Sequence, residues 1–355
     1  MFNFNDAKTQ AKYAARGIPW RGKIGIDISD CQSMEEAIVK AKLDYTVAKC
    51  QLTAKMDAKH LNSDVDNPNI VNGYEYVDLE GNFATYRTDS NIPLGHVGSR
   101  YEVVQNRTAF SFFDDAIGDR IHLDCAGYFG YGQKIFLSAS IDRDLKIGNI
   151  KDNVKHYFVF TNSHDGGTSV QIIITPIRVA CMNALHTALT NADMMIRFQH
   201  STGVNRRFLE VPEILCLTDK QIDCEEEIYQ HLYATKVSDE NVMNYIAQTF
   251  FTGEEYERAE ELKLFKGLYN RDNSAFEQSE ISSRKLNTIT KVWEYYQDGI
   301  GQRQIAGTAY GAYNAITGYF CNVKEYKNEE VRLKSTVLES DYLVGQKALS
   351  LAFSL

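Results

Sequence analysis

Apolar positions along this chain follow two different rhythms. Up to about residue 218 short alternating runs dominate; beyond it the period is 3.6 almost throughout. In the first part residues 6–16 have helical spacing, and Ile24, Ile26 and Ile28 alternate as a short strand. Ser33-Met34-Glu35-Glu36 is a capping box ahead of a helix carrying Ala37, Ile38 and Ala41. Residues 45–52 alternate as a strand, and 74–79 and 83–87 flank Glu80-Gly81-Asn82, which predicts a β-hairpin. Residues 55–72 read as a polar loop, 93–99 as a turn region, and Asn106 as the cap of the helix that follows. Two more strand pairs are expected, 121–126 with 134–141 and 157–161 with 169–175. After Pro176 the chain should enter a helix that Asn183 caps and that ends near residue 192.

The second part predicts helices over 219–234, 238–251, 253–268, 279–296 and 301–320, with Ser238 and Thr252 as start signals. The expected class is therefore α+β. An antiparallel-rich sheet with helices packed on it occupies residues 1–218, and a helical region, 219–355, packs against it without a Pro/Gly/Ser-rich linker.

Composition narrows the options. With 355 residues, 44% of them hydrophobic, the chain can bury a core without a metal or disulfide staple. The net charge of −9 is uneven: residues 211–355 carry 23 acidic and 15 basic side chains, the remainder 24 and 23. Any polyanion-binding surface is thus expected in the first two-thirds. The start lacks a signal-peptide pattern and no window is apolar enough to span a membrane, which points to the cytoplasm. The 7 cysteines form no C-x-x-C pair, so they read as reduced, mostly buried thiols, with no metal site and no cofactor expected.

Several stretches carry chemistry. Asn162-Ser163-His164-Asp165-Gly166-Gly167 lies between two strands; its side chains are candidates for ligand binding, while Asp-Gly also suits a plain tight turn, with Gly166 at positive φ. Arg178, in an apolar strand, needs an anion: a carboxylate of this chain or a ligand's phosphate, with Asn183 at the following helix start. In Gly127-Tyr128-Phe129-Gly130-Tyr131-Gly132 the rings of Tyr128, Phe129 and Tyr131 either stack on unpaired bases or fold back on the sheet. Arg197, Arg206 and Arg207 could follow a phosphate backbone or form an ordinary solvated surface. The acidic run 223–227 is expected to open a helix, and His186 to be a partly buried polar residue. No catalytic motif is present: there is no G-x-S-x-G, Walker A lysine or kinase signature.

Taken in order, Pro19-Trp20 with Gly22, Arg87-Thr88-Asp89, Leu94-Gly95-His96-Val97-Gly98-Ser99-Arg100-Tyr101, Val104-Gln105-Asn106, Asn162-Ser163-His164-Asp165-Gly166, Thr175-Pro176-Ile177-Arg178-Val179 and Gly307-Thr308 with Asn314-Ala315 resemble the phage/plasmid-like protein family, also called domain of unknown function 932. The resemblance spans roughly residues 17–320. It departs at the aromatic–glycine loop 127–132 and at Met182, where the family tends to have Gln. It implies a product of phages, prophages or plasmids, with no activity attached.

Three functions follow as expectations. The first is a DNA-replication or recombination accessory that binds single-stranded nucleic acid. The second is a small-anion or nucleotide-binding protein or enzyme, including a host-defence antagonist. The third is a structural or assembly protein. A homo-oligomer is compatible with each.

Overall fold

The computed structural model describes residues 25–57, 70–111, 121–149, 153–178, 183–184, 195–201, 203–204, 212–262, 264–265, 281–337 and 339–355. The helix expected over residues 6–16, Pro19-Trp20, His186, Arg206 and Arg207 lie outside them.

The class is α+β. Two antiparallel sheets form first. The larger has seven strands: β1 (Ile26–Asp27), β6 (Ile121–Phe129), β7 (Lys134–Lys146), β8 (Asn153–Ser163), β9 (Val170–Arg178) and β10 (Asn183–Ala184) lie in that order, and β11 (Met195–Phe198) also pairs with β9. The smaller has β2 (Val47–Asp57) and β4 (Tyr74–Arg87) side by side, with β3 (Ile70–Val71) and β5 (Pro93–Gly98) on the other edge of β4. Helices α1 (Met34–Lys40) and α2 (Asn106–Phe110) fill the gaps between strands. Then come α3 (Pro212–Ala234), α4 (Asp239–Phe250), α5 (Gly253–Glu261), α6 (Ser283–Asp298), α7 (Ala309–Gly318), α8 (Glu329–Val337) and α9 (Ser340–Ala352).

Strand β9 explains how the layers meet. Its sequence, VQIIITPIR, is apolar almost throughout, and it is buried along its whole length. Phe158 and Phe160 of β8, with Ile172 and Ile174 of β9, join a core shared with α3, α4, α6 and α7. The opposite face, with Tyr157, Val159, Ile173 and Ile177, is covered by Cys321 and Leu333. Helix α7 is buried at every position. Among the described residues no helix is long and apolar enough to cross a membrane.

Local capping chemistry sets the helix starts. The side chains of Ser33, Ser238 and Thr308 accept from the backbone N–H three residues on, and Thr252 with Glu255 completes a reciprocal capping box.

Elsewhere the chain departs from expectation. No hairpin forms at Glu80-Gly81-Asn82: β4 runs straight through, and the extra residues bulge outward where its pairing with β2 jumps from Gln51–Phe83 to Thr53–Asp78. The Gln51 amide donates to the carbonyls of Leu79 and Asn82, at 2.5 and 3.0 Å, which satisfies the bulge. The tight turn lies instead at Asn72-Gly73, both at positive φ between Val71 and Tyr74, at the end of the stretch 55–72 read as loop. The turn region 93–99 is mostly strand β5. Asn183 is not a helix start: it pairs with Arg178 in β10, and the rest of the helix expected to end near residue 192 lies outside the described residues. The acidic run 223–227 sits inside α3 and does not open it, because α3 begins at Pro212. Helices α8 and α9 have no counterpart among the helices that the sequence pattern predicts.

Candidate functional site

The loaded loop at 162–167 is a joint between the two sheets. Strand β8 delivers Asn162 and Ser163 to the sheet end, and the chain turns back into β9 through residues 164–169. Asn162 is buried; its amide donates to Val104 O at 3.1 Å and its oxygen accepts from Ser163 N at 2.8 Å. The Ser163 carbonyl accepts from the Tyr101 hydroxyl at 2.6 Å. Asp165 accepts from the Ser163 hydroxyl and from Gly167 N, and Lys134 stands 3.8 Å away.

His164 is fully buried. Its N–H donates to Gln133 O at 2.7 Å and its carbonyl accepts from Thr85, so its backbone bridges both sheets. Its Nε2 lies 2.8 Å from Asn106 Oδ1, while the Asn106 amide donates to Leu43 O at 2.9 Å. Because the amide nitrogen is committed to a carbonyl, Oδ1 must be the acceptor and His164 Nε2–H the donor. Asn106 therefore orients a neutral histidine and does not cap α2, whose N-cap position is Gln105. Burial, and then the nearby His200, push the His164 pKa down to about 3.

Sequence pattern alone places His200 only in a loop. In the structure it stacks on Tyr101 at 4.5 Å between ring centroids, its Nδ1 lies 3.0 Å from Glu102 O, and burial lowers its pKa too. His164 Nδ1 and His200 Nε2 are both buried without a hydrogen-bond partner. Among the described residues no group of three or more His, Cys, Asp or Glu is placed to hold a metal ion.

The approach of β5 to this loop demands small residues. A Cβ on Gly95 would stand 2.4 Å from Asp165 Cα, closer than real atoms come. Gly166 has φ +74, and a Cβ there would meet Val97 Cγ1 and His96 O at 3.0 and 3.1 Å. Gly166→Val is therefore expected to lower stability by about 1 kcal/mol or more, read as a shifted urea midpoint. An unshifted midpoint would remove the tight-turn account.

Arg178 belongs to a second, separate cluster. It is fully buried at the end of β9, donates to Gly301 O at 2.9 Å and lies 5.9 Å from the Tyr310 ring centroid. One diagonal step away on β8, buried His156 Nε2 stands 2.6 Å from Glu225 Oε2 of α3. Sequence reading misses this pair because its members are 69 residues apart. The buried amide of Gln302, next to Gly301, has no partner for either atom.

The aromatic loop is shorter than expected, since Gly127, Tyr128 and Phe129 belong to β6. Phe129 is buried and stacks on Phe136, so its ring offers no face to a base; Tyr128 is half-buried. Tyr131 is 64% exposed. Its carbonyl accepts from Arg87, whose guanidinium lies 3.9 Å over Tyr45. Arg197 is exposed on β11. Of the five cysteines described, Cys125 and Cys321 are buried, Cys31 is half-buried, and Cys50 and Cys224 are exposed.

The motifs that carry the family resemblance thus converge on two places. Those at 94–106 and 162–166 build the His164 joint, and Arg178 meets the segment around 301–315. No curated protein and no solved structure matches the chain. One family pattern does, over residues 93–338, well over half of the sequence. It starts later and ends later than the span from 17 to 320 read by resemblance. On that match the chain belongs to the family described as domain of unknown function (DUF932).

Proposed function

We propose that this protein works by docking onto another macromolecule through an arm, formed by the outer halves of β2 and β4 with β3. One observation carries the reading. Among the described residues ten large hydrophobic side chains are exposed, and five of them, Met56, Val71, Tyr74, Tyr76 and Leu79, lie on this ribbon. Apolar groups gathered on one exposed element mark an interaction surface. The arm also carries Asp57, Glu75, Asp78 and Glu80 against Lys55, so a phosphate backbone would meet a negative surface and a protein partner fits better. The polar residues first considered for ligand binding, Asn162, Ser163, His164 and Arg178, are buried, which favours the assembly reading over a nucleotide site. The setting we infer is the cytoplasm of a cell carrying a phage or plasmid.

A photoreactive phenylalanine analogue at Tyr76, activated in cells, is expected to give a discrete protein adduct. The same analogue at Val39, 52% exposed on α1, is the control. Equal adduct patterns at both positions would end the docking reading.

Tyr131 favours a second reading, single-stranded nucleic acid. Its exposed ring, in a turn whose carbonyl Arg87 holds, offers a face on which a base can stack. If the reading holds, Tyr131→Ala weakens binding of a labelled oligothymidine about 5- to 100-fold at low salt, the loss of one stacked base. Failure of the unaltered protein to bind the oligonucleotide would discard it.

A further inference from the structure

Asn72-Gly73 is the one Asn-Gly pair in the sequence, and the fold sets it at the tip of a ribbon. Both residues are exposed, at φ 52 and 79, in the two-residue turn between β3 and β4. A Cβ built on Gly73 would meet nothing within 4 Å, so no neighbouring group shields its backbone nitrogen. Strand β3 is only two residues long, and its pairs Ile70–Glu75 and Val71–Tyr74 are all that ties it to β4. Ile70 is half-buried and Val71 is exposed, so the turn opens at little cost in buried surface.

We propose that Asn72 is a site of intramolecular deamidation. When the turn opens, the Gly73 backbone nitrogen attacks Asn72 Cγ. A bond forms between them, the bond from Cγ to Nδ2 breaks, and ammonia leaves with the proton that the backbone nitrogen gives up. The product is a five-membered succinimide. Water then opens the ring at either carbonyl. One opening gives aspartate; the other gives isoaspartate, whose main chain runs on through Cγ. Nothing is oxidised or reduced, and solvent water is the sole co-reactant.

Asn91 shows which feature matters. It too is exposed, at φ 56 in a tight turn, with its N–H donating to Arg87 O at 2.8 Å. Its next residue, however, is Ile92, whose branched Cβ crowds the nitrogen that would attack, whereas Gly73 has no Cβ.

The two products differ in what they do to the ribbon. Aspartate keeps the turn, because Asp-Gly suits this turn type as Asn-Gly does. Isoaspartate lengthens the main-chain path, so the two-residue loop no longer closes and β3 comes away from β4. Either product lays a negative charge between Val71 and Tyr74, 51% and 40% exposed, beside the carboxylate of Glu75. The reaction does not depend on whether the arm docks.

The full chain, kept warm for days at mildly alkaline pH, tests the proposal by peptide mass spectrometry. Aspartate and isoaspartate should accumulate at position 72 while Asn91 stays intact. An isoaspartyl methyltransferase should label the aged protein and leave fresh Asn72→Asp unlabelled. In the labelled fraction, hydrogen exchange across residues 70–75 should speed up, while Asn72→Asp keeps the protection of the parent. Position 72 deamidating no faster than Asn91 would overturn the site. Unchanged exchange in the isoaspartyl fraction would overturn the broken turn.

Discussion

Between pH 7 and pH 4 the protein is expected to lose about 3 kcal/mol of folding stability through His164 alone. Its folded pKa is held near 3 by burial and by His200, whereas an unfolded histidine titrates near 6.5. Between those values the unfolded chain binds one more proton than the folded chain, so stability rises with pH. The neutral form's full contribution is present above about 6.5 and drains away toward 3, by roughly 1.4 kcal/mol per unit. His200, shifted the same way, adds to the slope. Carboxylates held by ion pairs, such as Asp89 beside Arg87, also lose stability in acid, so a variant must isolate the histidine. His164→Gln keeps a donor for Asn106 and cannot titrate. Urea unfolding at several pH values should show a shallower acid slope for the variant; parallel slopes would mean that His164 is protonated in the fold.

Arg178→Ala should have an effect of similar size, about 3 kcal/mol or more at neutral pH. The substitution leaves the half-buried Gly301 carbonyl without this donor and opens a cavity in the core beside Tyr310. Had the guanidinium awaited a ligand's phosphate, the free protein would melt almost as before and only binding would suffer. The structure places the arginine against its own chain, which predicts the opposite order. An unchanged melting midpoint would restore the ligand account.

These two residues also show what can be read in advance. Capping residues such as Ser33, Ser238 and Thr252 announce their helices because a cap is a contact within four residues. The positive φ of Gly166 is legible for the same local reason. Glu80-Gly81-Asn82 has good hairpin chemistry, but β2 offers β4 a continuous ladder on both sides of it, and those bonds outweigh a local turn. The Asn72-Gly73 signal is present and is hidden by the polar tract around it. At Asn183 the carbonyl and amide of Arg178 are available as strand partners, a fact no helix-start pattern contains. The joint depends on contacts 58 residues apart, between Asn106 and His164 and between Val104 and Asn162, and no periodicity reports these. The exposed arm is invisible for a different reason. Alternating apolar residues look alike whether the second face is covered or bare.

The wholly buried α7 has a consequence for synthesis on the ribosome. Strands β8 and β9 are complete by residue 178, yet the helix packed in the same core ends at Gly318. At 5–20 residues per second, roughly 7 to 28 s pass before that stretch emerges. During this interval Phe158, Phe160, Ile172 and Ile174 have no α7 to cover them, so the nascent sheet exposes apolar surface of the kind that drives aggregation.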